Sequence, residues 1–222
     1  MENMMYKLKS CFIILTGIML LKAPSEIKAQ DVALKFNAGT LGAGIELVAD
    51  VSESVNIRLG GNIFGLTRSW DAYTTTDFEI ATEINLKNIT FLADWHPFKS
   101  SNLRVTGGLV WNQNEFAGIM TPVRSYTIGG DVYTPEDLGD VIATFDFPDF
   151  APYAGIGFGS PFRSSSFGVN FDLGVFYQQS PSVTLHAEGL LQPTESQAPV
   201  MENNLSWANL YPVFTLSFFY EI

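Results

Sequence analysis

The chain holds a single cysteine, Cys11, in 222 residues. No intrachain disulfide can therefore form, and stability must come from pairing and packing. Basic residues are scarce: 12 Lys and Arg stand against 23 Asp and Glu, a net charge of −11. Such a surface repels polyanions, which excludes nucleic acid as a partner. Charged residues of either sign make up only 16%, yet no apolar run reaches the roughly 18 residues a helix needs to cross a bilayer. Long stretches of 3.6-residue periodicity are lacking too, which speaks against a helical protein.

What remains is 19 Gly, 18 Phe and a positive mean hydropathy of +0.14. At the start of the chain, Lys7 and Lys9 precede an apolar run from Cys11 to Leu21 and then a polar stretch to Ala29. This is the pattern of a secretory signal cleaved near Ala29 or Gln30, leaving residues 30–222 as one domain. A lipoprotein signal needs its Cys after the apolar run, whereas Cys11 stands at the start of it. Residues 1–29 carry four Lys and two Glu, so the remainder has 8 basic and 21 acidic residues, a net −13, and no Cys.

In the remainder, apolar residues recur every second position. Phe214, Leu216, Phe218, Tyr220 and Ile222 share one face of a strand, as expected for a barrel closed in lipid, where every backbone group is bonded internally. In a hairpin from Ile89 to Trp111, a turn centred on Lys99 sets Trp95 opposite Leu103, Ala93 opposite Val105 and Ile89 opposite Leu109 on an outer face. The same register sets Asp94 opposite Arg104 on the inner face. Trp95 and Trp111 then mark opposite rims and, with Tyr177, form an interfacial aromatic girdle. In a second hairpin, Leu41, Ala43, Ile45, Leu47 and Ala49 face outward, and a turn at Ser52 pairs Leu47 with Ile57 outside and Glu46 with Arg58 inside. A third sets Ala154, Ile156 and Phe158 against Val169, Phe171, Leu173, Val175 and Tyr177. Its inner face is mainly Gly with Asn170 and Asp172.

Residues 78–87 extend the strand that holds Phe91, with a change of phase near Asn88 that reads as a bulge or as the strand leaving lipid. Val183 to Leu191 reads as a seventh strand and Asn209 to Ile222 as the eighth, while Leu66 to Asp77 and Glu115 to Phe150 read as long loops. The fold class is thus all-β, a closed antiparallel transmembrane β-barrel of eight strands. Its sidedness stays open: loop length puts the turns at Ser52, Lys99 and Ser164 in the periplasm, and an even strand count with periplasmic termini puts them outside.

Three constellations carry possible chemistry. His186 and Glu188 share a strand face, so both could point into the lumen as the acid-base part of a lipid hydrolase; the inward neighbour is Thr184, where a nucleophilic Ser is wanted. Glu46, Arg58, Asp94, Arg104 and Asp172 read as lumen ion pairs, either an ion pathway or a plug, and an eight-stranded interior is just wide enough for side chains. Asp71, Asp77, Glu115, Asp131, Glu136, Asp137, Asp140, Asp146 and Asp149 lack calcium-loop spacing and read as solvated loop charge, so neither a metal nor another cofactor is expected. His96, beside Pro97 in a turn, reads as a rim residue.

Gly39-Thr-Leu-Gly-Ala-Gly-Ile-Glu46, Leu92-Ala-Asp-Trp-His-Pro-Phe98, Ala151-Pro-Tyr-Ala-Gly-Ile-Gly157, Asp172-Leu-Gly-Val175 and Tyr211-Pro-Val213 carry a family resemblance. Together they resemble the small outer-membrane β-barrel proteins of Gram-negative bacteria, with OmpA- and OmpW-like architecture. The C-terminal assembly signal of such barrels usually ends in Phe; here Phe218, Tyr220 and Ile222 stand in its place. The resemblance implies an integral protein of the cell outer membrane, with outer-membrane lipids and the assembly machinery as partners and no agreed activity. The expected role is structural or small-solute and lipid-interacting, without catalysis. The alternatives are a lipid hydrolase using His186 and Glu188, or a narrow channel for small apolar solutes.

Overall fold

The structure, a computed structural model, describes residues 31–70, 77–98, 100–162 and 166–222. The signal segment 1–29, Asp71 and the turn centres Lys99 and Ser164 lie outside them. Thirteen strands are described: β1 Val32–Gly39, β2 Gly42–Ser52, β3 Val55–Trp70, β4 Phe78–Trp95, β5 Leu103–Asn112, β6 Glu115–Pro122, β7 Tyr126–Ile128, β8 Asp131–Tyr133, β9 Val141–Asp146, β10 Phe150–Phe158, β11 Phe167–Tyr177, β12 Ser182–Ala187 and β13 Leu210–Glu221. Two short helices, α1 Pro135–Leu138 and α2 Ala198–Asn204, and a 3-10 segment Gly189–Gln197 complete the description.

Eight strands close a ring in the order β1, β2, β3, β4, β5, β10, β11, β13 and back to β1, every pairing antiparallel. Closure leaves the ring without an open sheet edge. Along its strands the usual order of a soluble core is reversed. Phe36, Ile45, Leu59, Phe91, Leu109, Ile156, Leu173 and Leu216 are exposed on the outer face, while Lys35, Glu46, Arg58, Asp94, Arg104 and Asp172 are buried on the inner one. Large inward side chains need room, and inward glycines supply it. A Cβ on Gly157 would lie 2.7 Å from Arg104 Cζ and 2.8 Å from its Nε, so this position must stay bare for the guanidinium opposite.

The ring count of eight stands, but its membership differs from the expected set. β1 belongs to the ring, with Lys35 and Asn37 inward and Phe36 outward. Leu41, expected to face outward, is buried, because the chain turns at residues 40–41 and β2 begins only at Gly42. The seventh expected strand, now β12, lies outside the ring and pairs with β9 alone. Its Val183, Leu185 and Ala187 are buried, and the 3-10 segment and α2 contact the strand. Period-two greasiness is the same whether the apolar face meets lipid or a helix, so alternation alone cannot tell the two apart.

In their described residues, the two expected long loops are in large part strand. β3 and β4 continue past the ring through Trp70 and from Phe78, paired without a break. Beyond Asn85, β4 exchanges its neighbour β5 for β6, and β6 leads on to β9 and β12. The result is a five-stranded sheet standing on one end of the barrel, here termed the cap. No bulge marks Asn88, where the β3–β4 ladder is regular. What changes there is the outward face, from Ile89 and Phe91 to Lys87, as expected of a strand passing out of an apolar layer. β12 is a free edge of the cap sheet, and two carboxylates occupy it. Glu202 Oε1 accepts from the Val183 N–H at 2.9 Å and Glu195 Oε1 from the Ala187 N–H at 3.0 Å, satisfying donors that would otherwise template another strand.

Counting β1 and leaving out β12 also removes the conflict over sidedness. Asp31 and Ile222 lie at the same end, where the Ile222 N–H donates to Val32 O at 2.8 Å. That end also carries residues 53–54, 96–98, 100–102 and 159–162, and the cap stands at the other. His96 is buried in the second of these, its N–H donating to Ser54 O at 2.8 Å.

Candidate functional site

Among the described residues, the lumen holds three cations and three anions. β1 and β2 place Lys35 directly opposite Glu46, and Lys35 Nζ lies 2.6 Å from Glu46 Oε1. Arg58 Nη1 reaches Glu46 Oε1 and Asp172 Oδ2, both at 3.4 Å, and its Nε lies 3.2 Å from Asp94 Oδ2. Arg104 Nη2 donates to Asp172 Oδ1 at 2.6 Å, its Nε lies 3.3 Å from Asp94 Oδ2, and its Nη1 donates to Gly159 O. The Thr106 hydroxyl donates to Asp94 Oδ1 at 2.6 Å. Asp172 is the hub, since Lys35 Nζ approaches its Oδ2 as well, at 3.7 Å. Each of the six side chains is at least 95% buried. Isolated, each such charge would cost several kcal/mol; joined, their formal charges cancel.

Next to this cluster, in the half of the lumen nearer the cap, Leu41, Leu92, Val110, Ala151, Tyr153, Phe176 and Val213 form an apolar layer. Phe176 stacks on Tyr211 with centroids 4.9 Å apart. Between the charged and apolar layers a cavity of about 30 Å3 is left, bounded by Lys35, Glu46, Tyr153 and Asp172 among others. That is space for a water or two.

The expected pairs come together, but along diagonals. Both hairpin registers are displaced by two residues, so Asp94 faces Thr106 and Glu46 faces Gly60, while Trp95 faces Val105 and Leu47 faces Leu59. A shift of two preserves which face each side chain occupies, and a long Arg spans the diagonal to the next inward position. Ile156 opposite Leu173 and Phe158 opposite Phe171 follow the third expected hairpin. Lys35 was missing from the expected set. The alternation of Leu34, Phe36 and Ala38 with Lys35 and Asn37 would have revealed it. A double-mutant cycle on Asp94→Ala and Arg104→Ala should give a coupling of about 1 kcal/mol or more in urea unfolding of the detergent-folded barrel. Additive losses would remove this contact from the network.

Trp95, Trp111 and Tyr177 all face outward, Trp95 at the short-turn end and the other two at the cap end. Phe218, Tyr220 and Ile222 are exposed along the outer face at the end of β13. His186 and Glu188 are elsewhere than expected. They stand on the cap, with side chains 65% and 74% exposed and 4.0 Å apart, and the nearer ionic partner of His186 is Glu195 at 3.3 Å. β12 is not in the ring, so neither reaches the lumen. Among the described residues, no group of three or more His, Cys, Asp or Glu side chains is placed to hold a metal ion.

No protein-family model matches the chain, and no curated protein matches it. Solved structures do. CarO2 of Acinetobacter baumannii superposes with a TM-score of 0.62 at 21% identity, over 86% of this chain and 98% of that one. CarO of the same organism gives 0.58 at 20%, over 86% and 97%. At such identity the likeness is one of fold. With the closed ring and its reversed polarity, it defines the fold as that of an outer-membrane β-barrel.

Proposed function

We propose that this chain is an integral protein of the cell outer membrane, a closed barrel that acts as a structural, lipid-interacting anchor for its cap rather than as a catalyst. The observation that carries the reading is the reversed polarity of the ring, with aliphatic and aromatic side chains outside and the six charged groups within. Only a hydrocarbon surround makes that arrangement favourable, since in water the exposed belt would drive association. On this reading the partners are outer-membrane lipids around the belt and the assembly machinery that reads the β13 strand through Phe218, Tyr220 and Ile222. The short-turn end faces the periplasm and the cap faces outward.

Two other functions have less behind them. A hydrolase would have to work with His186 and Glu188 largely in solvent. A channel for apolar solutes would have to thread an interior filled by the ion cluster and the Tyr153–Phe176 layer. Membrane fractionation followed by electrophoresis with and without boiling is the test. The protein should sediment with outer membranes and change mobility on heating; a processed chain that is soluble without detergent would end the proposal.

A further inference from the structure

Just beyond the outer belt, where the cap begins, the outer wall is interrupted. Trp111 of β5 faces Ile89 of β4 on one side and Phe150 of β10 on the other, and all three are exposed. Further along the same face of β4, Asn85 faces Glu115 of β6, which in turn faces Asp146 of β9. Between these two rows β5 gives way to β6 and β9 to β10. The break leaves an open hollow of about 380 Å3 on whose rim stand Lys87, Glu115, Asp146 and Asp149, all exposed.

These charges are uncommitted. Glu115 and Asp146 stand directly opposite one another, a placement of like charges that is destabilising. Among the described residues, no ion pair or side-chain hydrogen bond engages either of them, Asp149 or the Lys87 ammonium. The buried side of the hollow is formed by Asn112 and Asn114, 0% and 3% exposed, whose Nδ2 atoms have no hydrogen-bond partner in the protein. The groups open to a ligand are the exposed ones, one cation and three carboxylates.

Their order away from the belt selects the ligand. Ile89 and Trp111 come first, then Lys87, then Glu115 and Asp146, with about 6.6 Å of strand for each two residues. A lipid with its acyl chains on the belt meets that order group by group when a phosphate next to the glycerol is followed by a terminal ammonium.

We propose that this hollow holds a phosphoethanolamine group, its phosphate at Lys87 and its ammonium between Glu115 and Asp146. The inference rests on the reading of the barrel as a membrane protein and narrows a lipid surround to one headgroup. A primary ammonium donates charge-assisted hydrogen bonds to both carboxylates and relieves their repulsion. A choline group brings the same charge without an N–H to donate. An anionic headgroup meets three carboxylates against one Lys and is repelled.

The test presents the full barrel, in detergent micelles, with equal amounts of phosphatidylethanolamine, phosphatidylcholine and phosphatidylglycerol of the same acyl chains, and counts retained lipids by native mass spectrometry. Phosphatidylethanolamine should be retained in preference to both. Glu115→Gln combined with Asp146→Asn should cut its advantage over phosphatidylcholine at least tenfold, the worth of a charge-assisted hydrogen bond. Lys87→Gln should weaken both zwitterionic lipids and leave their ratio unchanged, since they share the phosphate. Free O-phosphoethanolamine should displace the lipid only weakly, because it lacks the acyl contacts with the belt; displacement at equal concentration would make the ligand a soluble one and overturn the lipid assignment. Equal retention of phosphatidylethanolamine and phosphatidylcholine, preference for phosphatidylglycerol, or an unchanged ratio in the double variant would overturn the site. The heat shift on gels, read in parallel, reports the barrel itself, so a failed headgroup site is distinguishable from a failed barrel.

Discussion

Asp172→Ala is expected to destabilise the barrel by about 3–5 kcal/mol, the usual cost of leaving a buried charge without its partner. Asp172 meets all three lumenal cations, Arg104 at 2.6 Å, Arg58 at 3.4 Å and Lys35 at 3.7 Å. Its removal turns a balanced set into one with an excess positive charge, beside a cavity of about 30 Å3 with room for only a water or two. A loss of that size is a large part of the roughly 5–15 kcal/mol by which folded domains are stable. Urea unfolding in detergent micelles, read by the heat-shifted gel band, should show a strongly lowered midpoint. Adding Lys35→Met should recover part of the loss, because the remaining Glu46 and Asp94 are then balanced by Arg58 and Arg104. A change below about 1 kcal/mol in Asp172→Ala, or a double variant worse than the single, would mean that the cluster is hydrated and its charges are not interdependent.

Much of this network was legible because each of its strands carries a strict two-residue period. Glu46, Arg58, Asp94 and Arg104 all interrupt the polar side of otherwise clean alternations, and parity alone put them inside. Their partners were harder to read. Turn centres placed at Ser52 and Lys99 misjudged the registers by two residues, an error invisible to a pattern of period two. The ring's membership was harder still. β1 is short and runs into a tight turn at residues 40–41, where Gly42 adopts a φ of 94°, so its alternation merged with the motif that follows. β12 alternates as well as any ring strand, but the 3-10 segment and α2 pack against it, and what lies opposite a strand is a tertiary fact. The cap shares this limit: β6 and β9 sit among Gly, Pro and acidic residues that have the composition of a loop, and they become strands because the protruding half of β4 offers them an edge.

Leu216→Arg should be nearly as damaging as loss of Asp172, for the opposite reason. Leu216 lies midway along β13 on the outer face, opposite Ala38 of β1 and Phe171 of β11 at the seam that closes the ring. An Arg there touches none of the lumenal groups, and in a soluble protein an exposed position of this kind tolerates most substitutions within about 0.5 kcal/mol. In hydrocarbon, the same change near the bilayer midplane costs about 2–4 kcal/mol. Val132→Arg supplies the comparison, because Val132 is more exposed than Leu216, at 65% against 51%, but sits on the β7–β8 hairpin at the cap end. In lipid bilayers the folded fraction should fall steeply for Leu216→Arg and stay near wild type for Val132→Arg. Equal, small effects at both positions would mean that water reaches the belt as freely as the hairpin. The oily outer face would then have to be buried against another protein surface, and the enclosed charges would no longer argue for a membrane.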